Sequence, residues 1–343
     1  MNRRIISAIT IFASVIFIFL SASCGKKALK DDYGCFVNYE DTLDYADKAK
    51  KPILLFFTSQ GDNEESTQLV TDVLKSEAFS SKVLKNYAVC HADFSQSAFA
   101  KMNAQDETDS KQQELANIYT TVMQNNYQLA MLFNVNEMPA VFLCTKEGFV
   151  VTRIPDENGI NSMLTFTTAL DSCNEKLDTF NKLIAQTYKG SASDRVEAID
   201  ALYLATEPEY RTFLLPLLKL VPELDKDNKT GLCGKYIVAA AEAQALTLYS
   251  QGDVETAIQQ YLEAANNSFV KPEGKQECFY TAAYLVAYSG SDDYQGIITY
   301  LQTAYDLAPD SSKAPAIKDA IAYFQTIIDN LDEYNSQNMV DAK

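Results

Sequence analysis

The sequence predicts an α/β domain, with a central mixed sheet flanked by helices, followed by an all-α domain of helical repeats. The first half alternates apolar runs of strand length with segments of helical period. The second half has helical period throughout, and one helix-turn-helix pattern recurs there after about 39 residues. The 343 residues suffice for two such domains, because one domain commonly takes about 100 to 200 residues.

The first 23 residues have the pattern of an export signal peptide. Arg3 and Arg4 supply the positive start, and the run 5–20 has the length of a signal-peptide apolar core. Residues 20–25, Leu-Ser-Ala-Ser-Cys-Gly, resemble the lipobox of bacterial lipoproteins, in which the cysteine becomes the lipidated first residue. The resemblance implies acylation, as with palmitate, at Cys24 and a membrane-anchored protein on the periplasmic or surface side of the cell envelope.

The box departs from the usual form, because Leu20 stands four residues before Cys24 and not three. Such relaxed boxes resemble those of spirochaetes and some other bacteria. Cleavage after Ser23 without lipid, or retention of the segment as a membrane anchor, stays open, since the apolar run can just span a bilayer. The residue after Cys24 is Gly25 and not the aspartate that marks inner-membrane retention in enteric lipoproteins, which favours the outer membrane.

The net charge limits the partners that the chain can bind. It is −17 for the whole chain and −19 without residues 1–23, because two arginines are lost. Such a charge repels nucleic acid and anionic lipid surfaces. We therefore expect no nucleic-acid partner, and we expect the lipid at Cys24 to provide the anchoring.

The α/β domain is expected at residues 41–188, after a polar tether over 24–40. Pro52 opens the run 53–57, which is long enough and apolar enough for a buried strand. The other predicted elements are a helix from 66 to about 84, a strand over 87–94, a polar insertion over 95–126, a helix over 129–133, a turn over 134–139, strands over 140–144 and 149–154, and a helix from about 161.

Three segments of this domain resemble a thioredoxin fold of the exported kind: 51–58, 88–94 and 132–143. The match covers roughly residues 40 to 180. In that family a Trp-Cys-x-x-Cys motif follows the first core strand, and a cis-proline loop faces the motif. Pro139, after Met138, stands in the place of that proline.

The motif cysteines are replaced in this chain. An alignment without a gap puts Asp62 and Glu65 at their positions, a one-residue shift puts Asn63 and Ser66 there, and the chain has no tryptophan. Disulfide exchange needs a thiolate and a second thiol, so these residues argue against conventional oxidoreductase activity. The resemblance instead implies a peptide groove formed by Asp62, Asn63, Glu65, Ser66, Met138 and Pro139.

The remaining cysteines and the single histidine give no recognisable catalytic or metal site. Six cysteines follow Cys24, and their wide spacing leaves both disulfides and free buried thiols open. His91 lies in a predicted strand with Cys90 on the opposite face, so the two cannot act as a Cys–His pair. The acidic segment 225–228 starts like a calcium loop, but the following residues do not match one. We expect no cofactor and no metal.

The second domain is expected at residues 189–335, with a tail over 336–343. Segments 243–250 and 252–264 have the pattern of a helical hairpin, which recurs from 282 to 309. The pattern resembles tetratricopeptide repeats, whose stacked hairpins form a concave surface for a partner. A plain helical bundle is the alternative.

These expectations combine into a membrane-anchored lipoprotein that acts as a protein-binding or assembly module, with a redox-inactive thioredoxin fold and unidentified protein partners. Two alternatives stay open. The first is an enzyme, either an atypical thiol-disulfide oxidoreductase that uses Cys35, Cys90 or Cys144 or another envelope enzyme. The second is a structural or antigenic envelope protein.

Overall fold

The computed structural model describes residues 28–102, 110–157 and 159–341. The predicted signal peptide and the lipidation site Cys24 lie outside the described residues. The chain divides into two compact units, one of residues up to 185 together with 201–213, and one of 186–200 together with 214–343. The expected boundary at 188 is therefore near the observed one, but 201–213 belong to the first unit.

A four-stranded mixed sheet forms the centre of the first unit. Its strands are β1 (Ile53–Thr58), β2 (Ala88–Asp93), β3 (Ala140–Cys144) and β4 (Val150–Arg153), in the spatial order β2-β1-β3-β4. Strand β1 is parallel to β2 and antiparallel to β3, and β4 is antiparallel to β3. Every residue of β1 and β3 is buried, which explains their uninterrupted apolar sequences. The predicted mixed sheet flanked by helices is confirmed.

Helices and helical turns cover both faces of this sheet. They are α1 (Tyr39–Ala49), α2 (Glu64–Gln68, continued as a π-helical segment Leu69–Leu74), a second π-helical segment (Phe79–Val83), α3 (Leu84–Asn86), α4 (Gln96–Met102), α5 (Ser110–Leu132), α6 (Met163–Ser172) and α7 (Asn174–Thr187). On one face, Phe57 and Phe142 contact Phe133. On the other face, Phe56 contacts Phe79 and Phe166.

Two segments of the first unit differ from the expectation. The polar insertion predicted over 95–126 has only weak helical content in the sequence, between 112 and 123, whereas α5 runs without a break from Ser110 to Leu132. Only a narrow stripe, which includes Ala116, Met123 and Leu129, is buried, so most of the helix is polar and its period is hidden. The predicted tether is also shorter than expected, because Cys35, Phe36 and Val37 are buried in the domain.

The second unit is helical in all its described elements. In chain order they are α8 (Ala192–Ala205), a 3₁₀ segment (Pro208–Leu214), α9 (Leu215–Leu218), α10 (Leu220–Leu224), α11 (Cys233–Ser250), α12 (Val254–Ala265), α13 (Pro272–Tyr288), α14 (Tyr294–Leu307) and α15 (Ala314–Asp341), of which α8 and the 3₁₀ segment are shared with the first unit. The predicted helical C-terminal region is confirmed, and its last helix extends to Asp341 through most of the predicted tail.

Helices α11 to α14 form two hairpins with matching caps. The Asp253 carboxylate accepts a hydrogen bond from the backbone of Thr256 at the start of α12, and Asp293 accepts one from Gly296 at the start of α14. Each helix packs against the next in the chain. Within the described residues, no helix is both long enough and apolar enough to cross a bilayer.

Candidate functional site

The register of the sheet brings three loops to one end, which we call the groove end. Phe57 is paired with Ala140, and Thr58 is paired with Asp93. The turn that follows β1, the loop that follows β2 and the loop that precedes β3 therefore meet there. The predicted groove residues of the first loop, at 62–66, and of the third, at 138–139, follow β1 and precede β3 at this same end of the sheet.

Asn63 closes the turn after β1 and starts α2. Its side-chain oxygen accepts a hydrogen bond of 2.8 Å from the backbone N–H of Ser66, and its carbonyl oxygen accepts one from the Thr67 hydroxyl. The same hydroxyl oxygen accepts a hydrogen bond from the backbone of Gly61, which has a φ of +94° that favours glycine. Asparagine is a preferred N-cap residue, so this turn is well specified.

The other predicted residues of this loop differ in exposure. Asp62 and Glu65 are exposed, and Asp62 accepts a hydrogen bond from Gln96 of α4. Ser66 is fully buried, and its hydroxyl makes no hydrogen bond to any described residue. Of the two possible alignments, the pair Asn63 and Ser66 is the one whose members are in direct contact.

The loop before β3 supplies the opposite side of the groove end. The Met138–Pro139 peptide bond is cis, and Pro139 is buried while Met138 is half-buried against the core. Among the described residues, the backbone N–H and C=O of Met138 take part in no hydrogen bond. An unpaired N–H and C=O next to a sheet end are the groups to which an extended peptide can add.

The thiols of the described chain are buried and none forms a disulfide. Burial raises the pKa of Cys90 and that of Cys144 to about 12, and it raises the pKa of Cys35 well above its usual value. Only the thiolate attacks a disulfide, so these side chains are poorly suited to thiol chemistry. The disulfide framework that the sequence left open is not formed.

His91 is part of a buried hydrogen-bond chain that the sequence did not indicate. Its Nε2 lies 2.9 Å from the Thr58 hydroxyl oxygen, and its Nδ1 lies 2.7 Å from a carboxylate oxygen of Asp31. A hydroxyl, an imidazole and a carboxylate in this order can act as a nucleophilic triad. Here Thr58 is fully buried and His91 is 2% exposed, so no substrate reaches the hydroxyl.

The chain instead attaches the N-terminal segment to β2. The second carboxylate oxygen of Asp31 accepts hydrogen bonds from the backbone of Tyr33 and Cys35. Phe36 then pairs with β2, donating to the Val89 carbonyl and accepting from the His91 N–H. Asp31 lies 60 residues before His91 in the chain. No local sequence pattern therefore indicates that the two residues are in contact.

The acidic segment at 225–228 forms a loop that is closed by hydrogen bonds to its first aspartate. Both carboxylate oxygens of Asp225 are occupied, because they accept hydrogen bonds from the backbone of Lys229 and from the backbone and hydroxyl of Thr230. The hydrogen bond from the Thr230 hydroxyl is the main reason that the pKa of Asp225 is lowered. No group of three or more potential metal-ligating side chains occurs within the described parts of the chain.

Comparisons with known proteins give relatives without an assigned activity. A family model described as an uncharacterised protein C-terminal domain matches residues 232–330. An uncharacterised protein of Treponema pallidum (strain Nichols) is 26% identical over 151 residues, which are 44% of this chain and 49% of the relative. The chain thus aligns with about half the length of that relative.

Among solved structures, an oxidoreductase named DsbH is similar to part of the chain. The similarity covers 46% of this chain and 91% of DsbH, at 18% sequence identity and a TM-score of 0.30. A score this low does not establish a shared fold.

We predict that the six thiols after Cys24 resist alkylation in the native protein. Iodoacetamide at mildly alkaline pH should leave Cys90 and Cys144 unmodified because they are buried and protonated. Peptide mass spectrometry measures the modification, and the same chain in urea, where all six react, is the control. Rapid native modification of Cys90 or Cys144 would contradict this and revive the thiol-enzyme alternative.

We also predict that Asp31→Ala loosens β2 and that the neighbouring change Asp32→Ala does not. Removing Asp31 leaves His91 and two backbone N–H groups without their acceptor, which costs about 2 kcal/mol. Hydrogen exchange of the 88–93 amides should then accelerate about 30-fold. Asp32 is exposed, so its replacement should change exchange less than about threefold. Equal effects of the two changes would show that Asp31 does not hold the segment.

Proposed function

We propose that this protein is an exported lipoprotein whose α/β unit is a redox-inactive thioredoxin-like domain that binds an extended protein segment. The observation that carries the proposal is the groove end itself. There the Asn63–Ser66 turn and the Met138–Pro139 loop lie at the ends of paired strands, and neither contains a thiol. Such a site offers hydrogen-bonding groups for a peptide and lacks the nucleophile for disulfide exchange.

The chemistry of the groove end supports binding over catalysis. The side-chain oxygen of Asn63 is used to cap α2, and the hydroxyl of Ser66 has no base beside it, since no described residue is within hydrogen-bonding distance. An unactivated hydroxyl is a weak nucleophile at neutral pH. Met138 supplies an apolar surface next to its own unpaired backbone groups, which suits an extended segment with an apolar side chain.

The helical unit is proposed to hold a second protein. Tyr280, Tyr284 and Tyr288 follow one another along α13, with ring centroids 4.8 Å and 5.8 Å apart. Tyr288 is 71% exposed. Tyr280 and Tyr284 are half-buried. Accessible tyrosines are typical of protein-binding surfaces, because each ring is rigid, largely apolar and carries one hydroxyl. Divergent tetratricopeptide-like hairpins would present such a row on the first helix of a repeat.

Site-specific photocrosslinking tests both surfaces in one experiment. A benzophenone amino acid at Glu65 reports on the groove end, and one at Tyr288 reports on the helical unit, in envelopes of the source organism. Met138→Asp should lower crosslinking at position 65 about tenfold, because it adds a negative charge and removes the apolar contact, and should leave position 288 unchanged. The matched control is Met131→Asp, since Met131 is 67% exposed on α5.

The result decides between the readings. Partners captured at both positions, with only the first sensitive to Met138→Asp, support two separate binding surfaces. If no partner is captured at either position, or if Met138→Asp abolishes crosslinking at both positions, an enzyme or a structural envelope protein is the better interpretation.

The lipid anchor is tested by metabolic labelling with an alkyne analogue of palmitate. We expect the wild-type chain to be labelled and Cys24→Ser to be unlabelled, because the thiol of this cysteine is the acceptor of the acylated glyceryl group that the lipobox implies, and it becomes a thioether when the group is added. Cys173→Ser is the control and should be labelled like the wild type. A wild-type chain that starts at Cys24 and carries no label would instead mean cleavage by an ordinary signal peptidase.

A further inference from the structure

The charges of the α/β unit are segregated between the two ends of its sheet. Opposite the groove end, the starts of β1 and β2 adjoin the end of β3, since Ile53 is paired with both Ala88 and Cys144. We call this the basal end. The chain segments that adjoin it carry a cluster of lysines: Lys48, Lys50, Lys51, Lys82, Lys85 and Lys146.

Contacts show that these lysines belong to one surface. The Lys51 ammonium donates a hydrogen bond to the carbonyl of Leu84. This contact brings the second π-helical segment, which contains Lys82, and α3, which contains Lys85, next to the start of β1. On the other side, Asp47 has a pKa below its usual value, first because of its hydrogen bond from Lys50 and further because Lys146 and Lys48 lie near it. The lysines therefore surround the basal end.

Carboxylates at this end only partly neutralise the lysines. Asp44, Asp47 and Glu147 form ion pairs with Lys48, Lys50 and Lys146, respectively. A further carboxylate, Asp171, lies near Tyr87, the residue after α3. Lys82 and Lys85 are exposed and form no ion pair with any described residue. Lys51 likewise forms no ion pair with any described residue, so half of these six lysines are not paired with a carboxylate, in a chain whose net charge is −17.

The side chain of one lysine in the N-terminal segment also reaches this surface. The Lys30 ammonium lies 4.3 Å from the ring centroid of Phe36 and 5.8 Å from that of Tyr45, and the Lys51 ammonium lies 5.5 Å from the Tyr45 centroid. Cys24 precedes Ala28, the first described residue, by four positions, and four residues span at most about 14 Å. A lipid on Cys24 would therefore hold the α/β unit close to a bilayer.

We propose that the basal end is a membrane-facing surface that binds the anionic headgroups of phospholipids. Charges act across only about 10 Å at an ionic strength near 0.1 M, so a bilayer at the basal end meets the lysines and is screened from most of the acidic chain. A lipid anchor together with a basic patch is a stable mode of membrane attachment. The acidic groove end, with Asp62, Glu64 and Glu65, is then directed away from the membrane.

The inference revises the expectation that anionic lipid surfaces repel this protein. That expectation used the net charge, which averages over groups far beyond the screening length. The lysine surface depends on the proposed lipid anchor only for its closeness to a bilayer, because the lysines that would orient the unit are a property of the folded chain.

The test uses vesicles to which the chain from Gly25 onward is attached by an N-terminal hexahistidine tag and a nickel-chelating lipid. A fluorophore is placed on Asn86→Cys at the basal end or on Glu64→Cys at the groove end, which is selective because the native thiols are buried. A headgroup-linked quencher reports proximity to the bilayer. On vesicles of phosphatidylglycerol and phosphatidylcholine, we expect quenching at 86 to exceed quenching at 64 at least about threefold.

Matched charge reversals provide the control. Lys82→Glu with Lys85→Glu should abolish the difference between the two probes, whereas Lys226→Glu with Lys271→Glu, which changes the net charge equally, should preserve it. Equal quenching at 86 and 64, the same difference on phosphatidylcholine alone, or the same effect of both reversals would overturn the proposal. Because the tag replaces the lipid, none of these outcomes depends on acylation of Cys24, which the palmitate label decides separately.

Discussion

The pairing of β1 on both of its edges is the constraint on which the α/β unit depends. Because β1 is parallel to β2 and antiparallel to β3, the loops that follow β1 and β2 lie at the same end of the sheet as the loop that precedes β3. The loops that precede β1 and β2 and the loop that follows β3 lie at the other end. The groove end and the basal end are direct consequences of this register. A slip of one residue in β3 would shift Ala140 from its pairing with Phe57, and Pro139 with it, and would exchange the side chains on the two faces of the strand.

The burial of Thr58 in β1 links the sheet to the N-terminal segment. The hydroxyl of Thr58 and the ring of His91 lie in the interior, where an unpaired polar group is costly. Each satisfies the other, and Asp31 satisfies the remaining ring nitrogen. The N-terminal segment is therefore part of the fold, and only a few residues are left between the folded unit and Cys24.

The sequence predicts the parts of the fold that have a strong local pattern. Strands β1 and β3 are uninterrupted apolar runs, and the hairpins of the helical unit have matching caps 40 residues apart at Asp253 and Asp293. The sequence of the first half of α5 has only a weak helical pattern, because few of its residues are buried. The attachment of Asp31 to His91 was hidden because it joins residues far apart in the chain.

The groove residues were predicted from a resemblance, and their roles come from the geometry. A sequence alone does not show that Gln96 holds Asp62, that the Thr67 hydroxyl closes the turn, or that Lys51 joins the turn before β2 to the start of β1. Each is a contact between segments whose order in the chain does not reveal their proximity. Charge segregation is likewise invisible in the net charge, because it appears only when the register assigns each lysine to an end of the sheet.

The turn after β1 is stabilised by Asn63 and contains no thiol. An asparagine at the start of a helix accepts a hydrogen bond from the backbone and stabilises the helix by about 1 kcal/mol relative to alanine. The turn is thereby fixed without a reactive group, while the backbone of Met138 stays available at the adjacent strand. A rigid turn beside unpaired backbone groups suits reversible binding, because little conformational entropy is lost when a peptide is added. In the function proposed above, this surface would bind a protein segment at the end of the unit opposite the lysines.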